Sequence, residues 1–291
     1  MKRFLSFAGI LGTLFVNLSS IAAESAPPAG QRVFVCAHSF MIYTAKLLPP
    51  MAEAAGIAHF NAGQQMIGGS RVIQHWDLPD EKNRAKAALR ESKVDVLTLS
   101  PNALMPDPGI DHFTKLGLEK NPALRVLVQA SWPTREGTSG QSFTNETRNA
   151  ATSASLRAQR DAHHSAWLVT LEAQVRTLNT TVGRTAVFLV PVSDAVYALR
   201  EKIAEGQAPG LTKQTDLFRD DLGHPHPPLA VLVTYCHFAA IYGRSPVGLP
   251  VPASLKDLPQ ADSLNLLLQQ LAWDAVTAHP LSGVHATPTK S

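Results

Sequence analysis

The segment from Asp221 to Pro225 places a carboxylate three residues before an imidazole, on a stretch that glycine and proline should fold into a tight turn. A carboxylate at this spacing accepts a hydrogen bond from one ring nitrogen of His224. That bond fixes the tautomer and leaves the other nitrogen free to take a proton. The pair is a candidate for activating a nucleophile, with Asp220 as an alternative partner for the ring. The same sequence would also suit a plain surface turn before a helix.

Ser39 is the candidate nucleophile, although it lies far from this turn in the sequence. It follows an apolar run and is preceded directly by His38. A serine hydroxyl is a weak nucleophile until a base such as His224 removes its proton. His226 and His237 are alternative bases, but neither has a carboxylate three residues before it.

Alternating strands and helices are predicted to position these residues. Short apolar runs rich in β-branched residues predict five strands, at 32–37, 57–60, 94–99, 124–130 and 186–190. Helical patterns lie between and after them, at about 40–55, 79–92, 110–119, 150–179, 194–205, 229–242 and 264–278. This alternation predicts an α/β fold, a three-layer αβα sandwich around a five-stranded parallel sheet, in a single domain over 24–291.

Polar or glycine-rich segments follow the predicted strands at the points where chemistry is expected. Ser39 follows the first strand, Gly69 the second and Asn102 the third, and the Asp221–His224 turn comes after the fifth. In open parallel sheets, ligands bind beyond the carboxyl ends of the strands. We therefore expect these segments to meet at one edge of the sheet.

This order of residues resembles the SGNH, or GDSL-like, hydrolase superfamily. The resemblance covers roughly residues 31–245 and rests on five positions: Ser39, Gly69, Asn102, Asp221 and His224. The segments from Ile67 to Ser70 and from Leu99 to Asn102 are similar to the family blocks that hold its glycine and asparagine. The chain departs from the family where Ala37 and His38 replace Gly-Asp before the serine, and where Ala103 follows the asparagine.

The resemblance implies a flavodoxin-like fold and ester hydrolysis without metal or organic cofactor. Ser39 would be the nucleophile, His224 the base and Asp221 the residue that orients the base. The oxyanion hole would consist of the backbone N–H groups of Ser39 and Gly69 and the side-chain amide of Asn102. The motif Gly-x-Ser-x-Gly is absent, which argues against the α/β-hydrolase family proper.

Three further residues are candidates for substrate binding. His38 would bring a basic group beside the nucleophile. His75 and Trp76 could line the cleft, with Trp76 stacked on a sugar ring; the alternative is that Trp76 packs against the protein.

Composition and charge exclude one class of partner. The chain has 291 residues and a formal charge of +3, which falls to about +1 without Lys2 and Arg3. With no basic cluster, nothing indicates nucleic-acid binding.

The first 23 residues have the pattern of a secretory signal. Lys2 and Arg3 precede an apolar run from Phe4 to Val16, and small residues follow at the spacing of a cleavage site. We expect a secreted or periplasmic protein without stable membrane insertion after cleavage; retention of the segment as an anchor is the alternative.

Cys36 and Cys236 each lie in an apolar segment, which favours buried free thiols. A disulfide is the alternative in an oxidising compartment. Neither cysteine has a recognised zinc spacing.

The sequence as a whole predicts an exported serine esterase acting on a small-molecule or glycan ester, with an O-acyl or O-acetyl carbohydrate as first choice. The alternative from another class is an exported binding protein that keeps the fold and the cleft but is catalytically silent. Acyl transfer in place of hydrolysis is a third reading.

Overall fold

Five parallel strands form the centre of the molecule in a computed structural model that describes residues 29–134 and 143–285. They are β1 (Gln31–Ala37), β2 (His59–Met66), β3 (Val96–Leu99), β4 (Arg125–Gln129) and β5 (Val187–Val190). Their order is β2-β1-β3-β4-β5, and every neighbouring pair is parallel. This is the order of flavodoxin-like sheets. The predicted α/β class and five-stranded parallel sheet are confirmed; the predicted signal segment lies outside the described residues.

Helices cover both faces of the sheet. They are α1 (Thr44–Ala54), α2 (Val72–Trp76), α3 (Arg84–Arg90), α4 (Pro108–Lys120), α5 (Ser153–His163), α6 (Val169–Thr181), α7 (Val192–Ala204), α8 (Pro227–Tyr242) and α9 (Ala261–Ala278). None of these described helices is both long enough and apolar enough to cross a membrane.

Alternation along the strands divides the core into two clusters. In β1, Val33 and Val35 belong to the cluster that contains residues of α1, α7, α8 and α9. Phe34 and Cys36 point to the other cluster, with residues of α3, α4 and α6. This arrangement follows from the two-residue period of a strand.

Both cysteines are buried free thiols, as the apolar context predicted. Cys36 lies in one core cluster and Cys236, on α8, in the other, so the sheet separates them. Burial raises the pKa of both thiols.

Strand β2 runs further than its apolar pattern predicted. It is an edge strand, paired only with β1, and many of its side chains are polar and partly exposed. A bulge interrupts its register: Val33 pairs with Asn61, but Phe34 pairs with Gly63. Gly63 has φ +126°, and a Cβ there would lie 2.8 Å from the Phe34 ring, so this position requires glycine.

Two predicted helices are divided in the structure. Residues 79–92 form a 3-10 turn and then α3, because Asn83 caps the new helix by accepting a hydrogen bond from the Lys86 N–H at 3.0 Å. Residues 150–179 form α5 and α6, joined by a π-helical turn at His164–Leu168. The short helix α2 was not predicted.

Candidate active site

The strand order brings three predicted site segments together. Because β2 and β3 lie on either side of β1, the loops that follow them flank Ser39, which follows β1. The side-chain amide of Asn102 donates a hydrogen bond to the Gly69 carbonyl at 2.6 Å, which joins the two outer loops.

Ser39 lies on a tight turn between β1 and α1. The backbone N–H groups of Met41 and Ile42 donate to the His38 carbonyl at 3.2 and 3.1 Å. Ser39 is half-buried, while its neighbours His38 and Phe40 are buried. The turn is thus anchored on both sides of an accessible hydroxyl.

The predicted nucleophile and base are in contact. Ser39 Oγ lies 2.9 Å from His224 Nε2, and His224 Nδ1 lies 2.7 Å from Asp220 Oδ2. A carboxylate at Nδ1 assigns the ring proton to that nitrogen, so Nε2 is left to accept the hydrogen bond from the serine hydroxyl. Serine, histidine and aspartate form one continuous hydrogen-bonded chain.

The prediction that Asp221 orients the ring was wrong: Asp220 makes that contact. Asp220 Oδ1 also accepts hydrogen bonds from the backbone N–H groups of Gly223 and His224, at 3.0 and 3.1 Å. These bonds fold the carboxylate back over the turn and place its other oxygen on the ring. Asp221 accepts a hydrogen bond from the Asn145 backbone N–H at 2.6 Å instead.

The buried side chain of Arg148 supports the turn that carries Asp220. Its guanidinium donates to the carbonyls of Asp220 and Asp221, at 2.9 and 3.0 Å, and lies 4.6 Å from the centre of the Phe218 ring.

The glycine of the same turn is held by Trp132, whose indole N–H donates to the Gly223 carbonyl at 3.1 Å. Gly223 has φ +89°, a backbone conformation that favours glycine. The carboxylate is therefore presented by a well-supported turn.

The electrostatics keep Asp220 ionised. Partial burial raises the pKa of its carboxyl group, but the hydrogen bonds from the His224 backbone and ring and from the Gly223 N–H outweigh burial. The net effect is a pKa below its ordinary value. An ionised carboxylate stabilises a protonated imidazole next to it.

The predicted oxyanion-hole residues lie around Ser39. Within the described part of the chain, the backbone N–H groups of Ser39 and Gly69 donate to no protein acceptor. Gly69 has φ +61°, and space is open where its side chain would be. One amide hydrogen of Asn102 is used by the Gly69 carbonyl, and an amide carries two.

His38 is not the basic group that the sequence suggested. Its pKa is lowered to about 4, mainly by burial. The hydrogen bond to the Pro101 carbonyl raises the pKa, and nearby His224 lowers it. Its Nδ1 accepts from the Phe40 N–H at 3.2 Å, so Nε2 donates to the Pro101 carbonyl at 3.3 Å. The neutral ring links the turn that carries Ser39 to the loop that carries Asn102.

His75 is a buried structural residue and not a substrate contact. Its Nε2 lies 2.8 Å from Ser70 Oγ, and its Nδ1 lies 3.2 Å from the Gln65 amide nitrogen. Ser70 donates its own proton to the Ile67 carbonyl. The side chain is fully buried, so the prediction that it lines the cleft was wrong.

Trp76 packs against the protein, which was the alternative to the prediction that it stacks on a sugar ring. It stacks on His112 with ring centroids 5.0 Å apart, meets the edge of Phe113, and has the Lys86 ammonium 4.4 Å from its ring centre. These neighbours leave it partly buried, and it does not line the cleft at Ser39.

His237 is excluded as a base by its position in the core. It is fully buried, and burial lowers its pKa to about 3. Its Nε2 donates to the Gln129 side chain at 2.9 Å, and the Gln129 amide donates to the Phe40 carbonyl at 3.2 Å. His237 thus supports the turn that carries Ser39, through Gln129.

A cleft of about 280 Å³ opens beside Ser39. Its lining includes His38, Phe40 and Asn102, but also Trp132 and Trp167, which the sequence reasoning missed. Trp132 comes shortly after β4, so the same positional rule that selected Ser39 and Asn102 could have found it. Trp167 lies on the π-helical turn, and no pattern in the sequence indicated that turn.

Comparisons with known proteins support the fold. A crystal structure of a DUF4886 family protein from Bacteroides uniformis superposes with a TM-score of 0.52 over 85% of this chain and 95% of that chain. The two sequences are 15% identical, so this likeness concerns the fold alone. No family model matches the chain.

One curated relative has a functional name. An uncharacterized peptidase of Schizosaccharomyces pombe is 30% identical over 112 residues, which is 37% of this chain and 20% of that protein. The aligned part of the chain spans about a fifth of the relative's length.

Proposed function

We propose that the chain is a serine hydrolase that cleaves carboxylic esters. The observation that carries this proposal is the continuous hydrogen-bonded chain from Ser39 through His224 to Asp220, at 2.9 and 2.7 Å. A hydroxyl, an imidazole and a carboxylate in this order are the groups that activate a serine for attack on a carbonyl.

In the first half of the reaction, Ser39 Oγ forms a bond to the ester carbonyl carbon while its proton passes to His224 Nε2. Asp220 stabilises the resulting imidazolium. The bond between the carbonyl carbon and the alcohol oxygen then breaks, and His224 gives its proton to the leaving alcohol.

In the second half, water attacks the acyl-serine. His224 accepts one proton from the water and returns it to Ser39 as the carboxylic acid leaves. The sum is one ester and one water converted to one acid and one alcohol, with the enzyme restored.

The tetrahedral intermediates of both halves carry a negative oxygen. The N–H groups of Ser39 and Gly69 and the second amide hydrogen of Asn102 are the donors we assign to it. Donors fixed in advance around a developing charge are worth several kcal/mol in other enzymes. The Asn102–Gly69 hydrogen bond would hold two of these donors in place.

The peptidase name of the fungal relative supports hydrolysis of an acyl bond in general. Peptide-bond cleavage is accordingly a second candidate, since the same three groups cleave amides in other proteins. Activity on p-nitroanilides or casein without activity on esters would favour it over ester hydrolysis.

Export of the chain, with an O-acyl carbohydrate as substrate, remains part of the proposal. N-terminal sequencing of the protein from its native compartment checks the export: a first residue near Ala23 supports it, and Met1 in membrane fractions opposes it. The loss of Trp76 as a sugar platform removes one argument for the carbohydrate.

Steady-state hydrolysis of p-nitrophenyl acetate tests the function. We expect turnover by the wild type and its loss in Ser39→Ala and His224→Ala, with unchanged melting temperatures. An intact fold without turnover on any ester or amide would favour the silent binding protein.

A further inference from the structure

The cleft beside Ser39 is larger than hydrolysis of an acetyl ester requires. Its volume of about 280 Å³ corresponds to roughly nine water molecules at about 30 Å³ each. An acetyl group would leave most of that space to water. A cleft of this volume has room for an acyl group that carries one six-membered ring.

No acidic side chain, lysine or arginine is found among the described residues that line the cleft. Of the two histidines in the lining, His38 is neutral because burial lowers its pKa to about 4. The lining also includes the apolar or aromatic residues Phe40, Trp132, Ala166 and Trp167. This lining favours an apolar group over a strongly hydrated one.

Two stacked aromatic pairs contribute to the walls. Phe40 and Trp132 have ring centroids 4.7 Å apart at 11°, and His163 and Trp167 have centroids 5.2 Å apart at 12°. Such walls favour another planar ring, because offset and edge contacts between aromatic rings add to the effect of burial.

The polar ends of these rings are held by backbone carbonyls. The Trp132 N–H donates to Gly223, the Trp167 N–H to Asn102 at 3.1 Å, and His163 Nε2 lies 3.0 Å from the Ser131 carbonyl. The rings are thereby fixed in orientation before a ligand arrives, which lowers the entropy lost on binding.

The position of the cleft favours one half of the ester. Asn102, assigned to the oxyanion of the ester carbonyl, lines the cleft, as do both sequence neighbours of Ser39. We therefore assign the cleft to the acyl half, and the comparison of acyl groups on one leaving group tests that assignment.

Resting on the proposed ester hydrolysis, we propose that this enzyme selects aromatic acyl groups with a single ring, of the benzoyl type, and that Trp167 and Trp132 recognise the ring. The alcohol half of the substrate lies outside the cleft and is not selected by it.

Matched p-nitrophenyl esters test this selection, because the leaving group is the same in all. We expect kcat/KM for the benzoate to exceed that for the acetate and the hexanoate. Trp167→Ala should lower the benzoate-to-acetate ratio of kcat/KM by about five- to tenfold, the size of one aromatic contact. Ala166→Phe, which fills the cleft, should lower the same ratio.

Trp273→Ala is the matched control, because Trp273 lies on α9 and does not line the cleft. It should leave the ratio unchanged. The readout is the benzoate-to-acetate ratio of kcat/KM. A disturbed Asn102 loop would lower the activity on both esters and leave this ratio unchanged.

Two failures are distinguishable. Acetate hydrolysis that depends on Ser39, with no preference for benzoate or with a preference for hexanoate, would overturn the aromatic selection and leave the ester hydrolase intact. Failure to hydrolyse any of the three esters would instead overturn the proposed function.

Discussion

Asp220 Oδ2 lies 2.7 Å from His224 Nδ1, across a turn in which the neighbouring Asp221 faces away towards Asn145. The two carboxylates are adjacent in sequence, yet only one can orient the ring. If the proposed hydrolysis is correct, this relationship makes Asp220, and not Asp221, the aspartate that activity requires.

Asp220→Asn should reduce kcat/KM for ester hydrolysis by about 10³–10⁴, because an amide at this position favours the wrong tautomer of the base. Asp221→Asn is the matched control and should stay within a few-fold of wild type, since an asparagine oxygen still accepts from Asn145. Kinetics on p-nitrophenyl acetate measures both. The reverse ranking of the two variants would contradict the assignment.

Asn102→Ala should lower kcat by about 10²–10³ with little change in KM. This is the range that the loss of a single oxyanion donor causes in other enzymes. The hydrogen bond forms fully only when the carbonyl oxygen becomes negative, so substrate binding is spared. Asn102→Asp should be at least as harmful, because it replaces a donor with a negative charge.

A melting curve on the same Asn102→Ala preparation separates catalysis from stability. The amide also joins two loops through the Gly69 carbonyl. A large fall in Tm with kcat retained would show that the side chain only supports the loops.

Acid should destabilise the fold through buried His75. Burial lowers its pKa from 6.5 to about 4, with a smaller effect of His38. Between these values the unfolded chain binds a proton that the folded chain does not, so the free energy of unfolding falls as the pH falls. The slope is about 1.4 kcal/mol per pH unit for one histidine.

His75→Gln should make the decline of stability between pH 6.5 and 4 shallower by that amount, as measured by urea denaturation at several pH values. His112→Gln, at an exposed position, is the control. An identical slope in His75→Gln and wild type would mean that His75 does not carry the effect.

The apolar runs of the sequence were sufficient to predict the central strands and the fold class. Buried parallel strands appear in a sequence as continuous runs of apolar residues. The loops that follow such strands meet at one edge of the sheet, whatever the loop sequences are. That rule placed Ser39, Gly69 and Asn102 around one point. It failed for the polar end of β2, since an edge strand next to solvent has no continuous apolar run.

The details of the site depended on side-chain directions that spacing does not encode. Asp220 and Asp221 fit the same turn, and the bonds from Gly223 and His224 to Asp220 select between them. His75 was predicted to line the cleft, but a five-residue helix directs its side chain into the core.

The most direct test of the account is covalent labelling of Ser39 by a fluorophosphonate probe, read by intact mass and peptide mapping. The hydroxyl oxygen forms a bond to phosphorus as fluoride leaves, and the reaction needs the base but no substrate recognition. We predict one adduct, on Ser39, in the wild type and in Asp221→Asn, and none in Ser39→Ala. A folded wild-type protein that remains unlabelled, or an adduct that persists in Ser39→Ala, would contradict the central claim that Ser39 is an activated nucleophile.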